Sequence, residues 1–298
     1  MSTHSILTNK LIDYAGLFPP AGLSMAVALA EYAAARTSTD ASMLGRFVLP
    51  ATRLTEFGEC AQAVLASLAA PWPLSALIGP DSTQDLAALK AFNQTYGSLA
   101  LVDTVEVKAS SVAEIDTLRA LIPPEIQAYV EIPHHAEVRA LIAVLYNTGL
   151  RAKIRTGGIT AEAFPSAMLL LHFLMSFAEL GVPFKATAGL HHPVRGTYRL
   201  TYAPDSPRAP MFGFLNLLLA TAFLRIDDRS LALRALLEEE PATLQFAPDA
   251  LTWHGVRLNH QALLDVRQHG MISFGSCSFS EPSMDLRRML TSEYTRIP

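Results

Sequence analysis

The stretches "RAKIRTGG" (151–158) and "PFKATAGL" (183–190) decide how this chain folds. Each is a short run that stops at glycine, as a strand does when it hands the chain to a turn. Between them, "TAEAFPSAMLLLHFLMSFAEL" (160–180) carries apolar residues at helical spacing and opens on a threonine before an acidic first turn. Two strands separated by a whole helix pair in parallel, through a crossover.

Working outward, the same unit recurs. The runs "LIDYAGLF" (11–18), "GRFVLP" (45–50), "PLSALIGP" (73–80), "DTVEVKAS" (103–110), "QAYVEIP" (127–133) and "MISFGSCS" (271–278) bring the predicted strands to eight. Helices are expected near 24–36, 54–69, 83–96, 111–121, 135–148, 160–180, 211–225 and 282–293, several with a Ser, Thr or Asp ahead of an acidic turn, as in "DSTQDL" (81–86) and "SSVAEID" (110–116). Eight alternating units without a break in composition predict an α/β fold, a closed (β/α)8 TIM barrel over residues 1–298 rather than a doubly wound open sheet. The surplus lies at 229–270, before the eighth strand, and reads as an insertion: a helix, a hairpin around Pro248-Asp249 and a second helix capped by Asn259. Its expected place is over the site or at a subunit contact, and with Trp253 it suggests a homo-oligomer.

Composition narrows the function. Half of the 298 residues are hydrophobic and 17% are charged, enough apolar surface for one large core. A net charge of −4 and the absence of any Lys/Arg run argue against a nucleic-acid partner. The apolar stretches 166–182 and 211–224 read as buried helices, because the first carries His172 and Glu179 and the second has 14 residues, short of the ~20 a membrane span needs. No membrane partner is expected. Two distant cysteines, Cys60 and Cys277, with no signal-peptide pattern at the start, lead to the expectation of a cytoplasmic protein.

In such a barrel the active site forms at the C-terminal strand ends. Those ends carry Asp13, Glu106, Lys108, Glu131, Lys153, Arg155, Lys185, Thr187, Gly275, Ser276, Cys277 and Ser278. Side chains alternate along a strand, so Glu106 shares a face with Lys108, Lys153 with Arg155, and Lys185 with Thr187. If those faces point inward, lysines, an arginine and carboxylates meet in one cavity. Desolvation and like-charge repulsion then disfavour the ammonium form, and one lysine can fall from about 10.4 toward 7–8 and act as an amine nucleophile. A neutral amine makes a Schiff base with a carbonyl compound, and the iminium is an electron sink for work on a neighbouring carbon–carbon bond. Such chemistry needs no cofactor.

The order of these strand-end motifs resembles the deoxyribose-phosphate aldolase family of class I aldolase barrels. "LIDYAGL" looks like that family's first strand, "TVEVK" its fourth, "AKIRTGG" its Lys-x-x-Thr-Gly sixth, "PFKATAGL" its seventh and "SFGSCS" its eighth. The resemblance implies that Lys153 forms the imine, that Lys185 lowers the pKa of Lys153, and that Glu106, where the family carries Asp, relays protons. Gly275, Ser276 and Ser278 stand where backbone groups and a helix N-terminus would seat an anion. His191 and His192 stand where the family grips phosphate, which marks a change of substrate. Arg155 replaces a small residue and would suit a substrate carboxylate, or else pair with Glu131 or Glu106. The substrate-contacting set is therefore expected to be Asp13, Lys108, Glu131, Arg155, Thr187, His191, His192, Gly275, Ser276 and Ser278, around a small carbonyl compound.

Two other functions compete. The histidine pairs His134-His135 and His191-His192 follow predicted strands, so a divalent metal held by His191, His134 and Glu131 or Glu106 would support hydrolysis or enolate chemistry. Adjacent histidines rarely point the same way, however, and no HxH or HExxH spacing is present, so no metal is expected. A barrel that only binds a ligand would leave the lysines without a task. For Cys277, no base is identifiable from sequence, and a small packing residue is the expectation.

Overall fold

All eight runs read as strands lie in one closed, parallel sheet. The computed structural model describes residues 2–65, 70–134 and 137–291. Its barrel comprises β1 (Ile12–Tyr14), β2 (Leu44–Pro50), β3 (Trp72–Leu77), β4 (Ala100–Lys108), β5 (Gln127–Glu131), β6 (Arg151–Arg155), β7 (Phe184–Thr187) and β8 (Met271–Ser276), each beside its neighbour in sequence. The seam closes where Asp13 of β1 pairs with Gly275 of β8 and Ile12 with Leu44 of β2. The chain thus forms a (β/α)8 TIM barrel.

Several helices begin where a side chain satisfies one of the first backbone N–H groups. Asp81 accepts from Gln84 N at 3.0 Å, and Ser111 accepts from Glu114 N at 3.2 Å while Glu114 reaches back to Ser110 N at 2.7 Å. The start expected at Thr160 is different. Residues Ala161–Ala163 make a single 3-10 turn, and the helix runs from Ala167 to Leu180 with Ser166 as its cap. Pro165 is the cause: it drives Phe164 to extended backbone (φ −89°, ψ 120°), which breaks the run. This leaves a 14-residue helix whose Phe173, Leu174 and Phe177 are buried.

The insertion contains the two expected helices, Arg229–Leu237 and His260–His269, the second capped by Asn259 Oδ1 accepting from Ala262 N at 3.0 Å. Between them lies a three-stranded sheet, Leu244–Ala247, Ala250–Trp253 and Val256–Asn259; its second turn, at His254-Gly255 with φ of 45° and 80°, adds a hairpin to the one expected at Pro248-Asp249. The sheet does not cover the site. It packs beside the helix Thr3–Thr8, which precedes β1 at the opposite end of the barrel, with Thr3 N donating to Pro248 O at 3.2 Å. Its purpose is visible in the helix Phe214–Leu224, which is buried on every side. A helix apolar all round needs cover on its outer face. Helix Arg229–Leu237 gives that cover, and the buried Asn216 joins the two by donating to Ala235 O at 2.6 Å and Glu238 O at 2.9 Å.

A second excursion lies at the C-terminal mouth, between β7 and Phe214–Leu224. It is a hairpin of Gly196–Arg199 against Arg208–Met211. The alternation in "GTYRLTY" with the turn residues "APDSP" is the sequence signal for it.

Candidate active site

Strand register lines up the charged residues. Lys108 of β4 is in register with Glu131 of β5, Glu131 with Lys153 of β6, Lys153 with Lys185 of β7 and Lys185 with Ser273 of β8. With a side-chain period of two, Glu106 lies on the Lys108 face. Instead of the branched apolar layers that usually fill such a barrel, a ladder of charges crosses its centre.

Glu106 is the middle rung. Its Oε1 accepts from Lys185 Nζ at 2.6 Å and from Ser75 Oγ at 2.9 Å, while its Oε2 lies 2.7 Å from Lys153 Nζ. Lys153 also pairs with Glu131 Oε2 at 2.8 Å, and Lys185 donates to Asp13 Oδ2 at 2.6 Å. Asp13 in turn accepts from Ser273 Oγ at 2.8 Å and from Arg46 N at 2.8 Å. The Lys185 side chain is 1% exposed and that of Lys153 is 4% exposed. Burying two ammonium groups is costly, and the carboxylates of Asp13, Glu106 and Glu131 within 2.8 Å of the two nitrogens offset that cost.

The charges decide each group's state. Burial alone would raise the Glu106 carboxyl, but Lys153 and Lys185 hold it well below the usual carboxylate range. Burial likewise opposes the Lys185 ammonium, yet Asp13 and Glu106 push its pKa above the ordinary lysine value. Glu131, also buried, is lowered by Lys153 and Arg155. One carboxylate therefore stands between the two amines expected to repel each other. Lys185 and Lys153 are thus joined by the two oxygens of Glu106.

Of the residues singled out from sequence, Glu106, Lys153, Arg155, Thr187, His191, Gly275 and Cys277 line a cavity of about 310 Å³ at the C-terminal mouth, roughly the lower end for small-molecule sites. Glu131 and Lys108 line an adjoining space of about 460 Å³ that shares Glu106, Lys153 and Arg155. His192 lies on a third, of about 260 Å³, that shares His191 and is walled by the hairpin. Asp13, Lys185, Ser276 and Ser278 line none of these. Asp13 is occupied beneath Lys185, and Ser276 and Ser278 form the turn into the helix Ser280–Leu290, Ser276 Oγ accepting from Ser278 N and Ser278 Oγ from Glu281 N. These three polar residues, expected to contact substrate, stand behind the cavity lining and are engaged with the protein itself.

The histidines diverge. His134 Nε2 lies 2.8 Å from Arg155 O, with its ring edge-on to Phe173, whereas His191 Nδ1 meets Glu281 Oε2 at 2.8 Å. His192 Nδ1 meets Asp285 Oδ2 at 2.7 Å and its ring stacks on Tyr198. His135 lies outside the described residues. Among the described residues no three His, Cys, Asp or Glu side chains converge as metal ligands would. The metal set drawn from the sequence is thus divided, its carboxylates engaged by Lys153.

Gly45 shows how tightly the ladder is held. A Cβ there would lie 2.3 Å from Asp13 Oδ1 and 3.2 Å from Ile12 O. Gly45→Ala is expected to destabilise the protein by about 1–3 kcal/mol through displacement of Asp13. A denaturant midpoint equal to wild type would show that Asp13 is not fixed in this way.

The sequence reading missed Glu281 and Tyr202, which flank His191 and Cys277. Tyr202 OH lies 3.5 Å from Cys277 Sγ and 3.2 Å from Glu281 Oε2. Compared with protein-family models, with curated proteins and with solved structures, the chain finds no significant match.

Proposed function

We propose that this barrel is a Schiff-base-forming lyase or aldolase acting on a small carbonyl compound, with Lys153 as nucleophile. One observation carries the reading: Lys153 faces the mouth cavity with two carboxylate oxygens 2.7 and 2.8 Å from its Nζ. An ammonium cannot attack a carbonyl, so its proton must leave along one of those hydrogen bonds. The free amine then adds to the carbonyl carbon, and loss of water gives the iminium.

Arg155 supplies the trigger and the preference for a carboxylated substrate. Its Nε lies 3.2 Å from Glu131 Oε1, its side chain is 43% exposed, and its terminal nitrogens have no protein partner among the described residues. A substrate carboxylate that draws the guanidinium toward itself removes one positive neighbour from Glu131. Glu131 then becomes the better base for the Lys153 proton, while Lys185 keeps Glu106 ionised. A 2-oxo acid fits this arrangement better than a plain sugar phosphate.

The test is α-proton exchange. An imine acidifies the carbon beside it, so an enzyme of this class exchanges substrate protons with solvent even without a second reactant. Incubating a panel of aldehydes and 2-oxo acids with the protein in D₂O, followed by NMR, is expected to show exchange that is faster for 2-oxo acids. No exchange with any member would leave the ladder as an ion-pair network in a barrel that binds without reacting.

A further inference from the structure

We infer that Cys277, His191 and Glu281 form a second reactive centre on the wall of the same cavity, in which Cys277 adds reversibly to the carbonyl carbon of a small aldehyde. The three follow the order nucleophile, base, orienting carboxylate. Cys277 Sγ lies 3.9 Å from His191 Nε2, and the other ring nitrogen, Nδ1, is held at 2.8 Å by Glu281 Oε2. Both Cys277 and His191 line the mouth cavity. The elements that assemble them are independent: Cys277 follows β8, His191 follows the turn after β7, Glu281 opens the helix Ser280–Leu290, and the hairpin brings Tyr202 OH to 3.5 Å from the sulfur.

A packing cysteine would face apolar neighbours; this one faces an imidazole and a phenol. Burial disfavours both charged forms, yet the contact with Cys277 and Glu281 raises His191 to about 9, and His191 with Tyr202 lowers the Cys277 thiol. Glu281 is itself lowered, chiefly by His191 against its burial. The other titratable groups nearby are Tyr14, raised by burial and Glu31 and, to a lesser extent, Cys277, and His192, held by Asp285. The contact therefore favours the thiolate and the imidazolium together.

The step balances without a co-reactant. The sulfur lone pair forms a C–S bond as the carbonyl π bond opens, and the proton on His191 Nε2 passes to the new alkoxide, giving a thiohemiacetal. Reversal returns aldehyde, thiolate and imidazolium. Glu281 touches no substrate and is a positioning residue that fixes the ring and favours its charged form. This centre does not depend on Lys153 being a nucleophile.

The second cysteine provides an internal control, since Cys60 is free and exposed. In wild-type protein, iodoacetamide labelling read by peptide mass mapping at pH 6 should modify Cys277 at least about 10-fold faster than Cys60. Glu281→Gln should move the Cys277 pH profile upward, and His191→Gln should bring its rate below that of Cys60. Propanal should protect Cys277 from labelling, in Lys153→Ala protein as in wild type. Labelling of Cys277 that rises only above the ordinary thiol range overturns the proposal, as does protection by propanal that vanishes in Lys153→Ala. Fast, protectable labelling in a protein that exchanges no α-protons would uphold this centre while refuting the Schiff-base reading.

Discussion

Lys153→Arg is expected to lose α-proton exchange on 2-oxo acids by on the order of 10⁴-fold or more, the scale seen when a covalent nucleophile is removed. The substitution separates charge from chemistry. A guanidinium preserves a cation between Glu106 and Glu131, 2.7 and 2.8 Å from the present amine, but it stays protonated and cannot form an imine. If Lys153 were only a counter-ion, arginine would preserve much of the activity. Exchange within about 10-fold of wild type would therefore place the reacting amine elsewhere.

Lys185→Met is expected to cost about 3–5 kcal/mol at neutral pH, because Asp13 and Glu106 would be left buried without their shared cation. The sign of its pH dependence follows from the shifts. Lys185 is raised, so its contribution is complete below about 10.4, the value in an unfolded chain, and is lost as pH rises through the higher folded value. Glu106 is lowered, so its share is complete above about 4.3 and is lost as pH falls through the folded value. In the variant, the bereft carboxylates can neutralise themselves by protonation in acid. The deficit against wild type should accordingly be largest near pH 7 and shrink by pH 4, read from urea midpoints. An equal deficit at both values would mean that the loss is one of packing volume rather than charge.

How much of this was legible in the sequence depended on whether a feature was local. The barrel could be read because each strand and its following helix announce themselves within some 30 residues, and strand alternation put Glu106 with Lys108, Lys153 with Arg155 and Lys185 with Thr187 on common faces. What alternation does not give is depth. Asp13, Lys108 and Thr187 looked equivalent as strand-end residues, yet Asp13 is sealed under Lys185, Lys108 is exposed at the rim, and Thr187 lines the cavity. Nor could sequence show that Glu106 would sit between the lysines, since that depends on how far each side chain reaches across the barrel. The mutual repulsion foreseen for the two amines gave way to a ladder in which each is matched.

The histidine region illustrates the same limit. His191 and Glu281 are 90 positions apart and Cys277 and Tyr202 are 75 apart, so no spacing rule connects them. They meet because β7 and β8 are neighbours and because the hairpin Gly196–Met211 folds over the mouth between them. The insertion at 229–270 attracted attention through its length, whereas the shorter excursion after β7 carries the residues that touch the site. In a parallel barrel, position after a strand is a better guide to function than the size of an insertion.

The central claim is that Lys153 attacks a carbonyl carbon, and borohydride reduction tests it most directly. Treating the protein with sodium borohydride in the presence of a reactive 2-oxo acid, then mapping peptides by mass, should find one stable adduct per chain on Lys153 and none on Lys185. Trapping that leaves Lys153 unmodified, or that places the adduct on Lys185, would contradict the account.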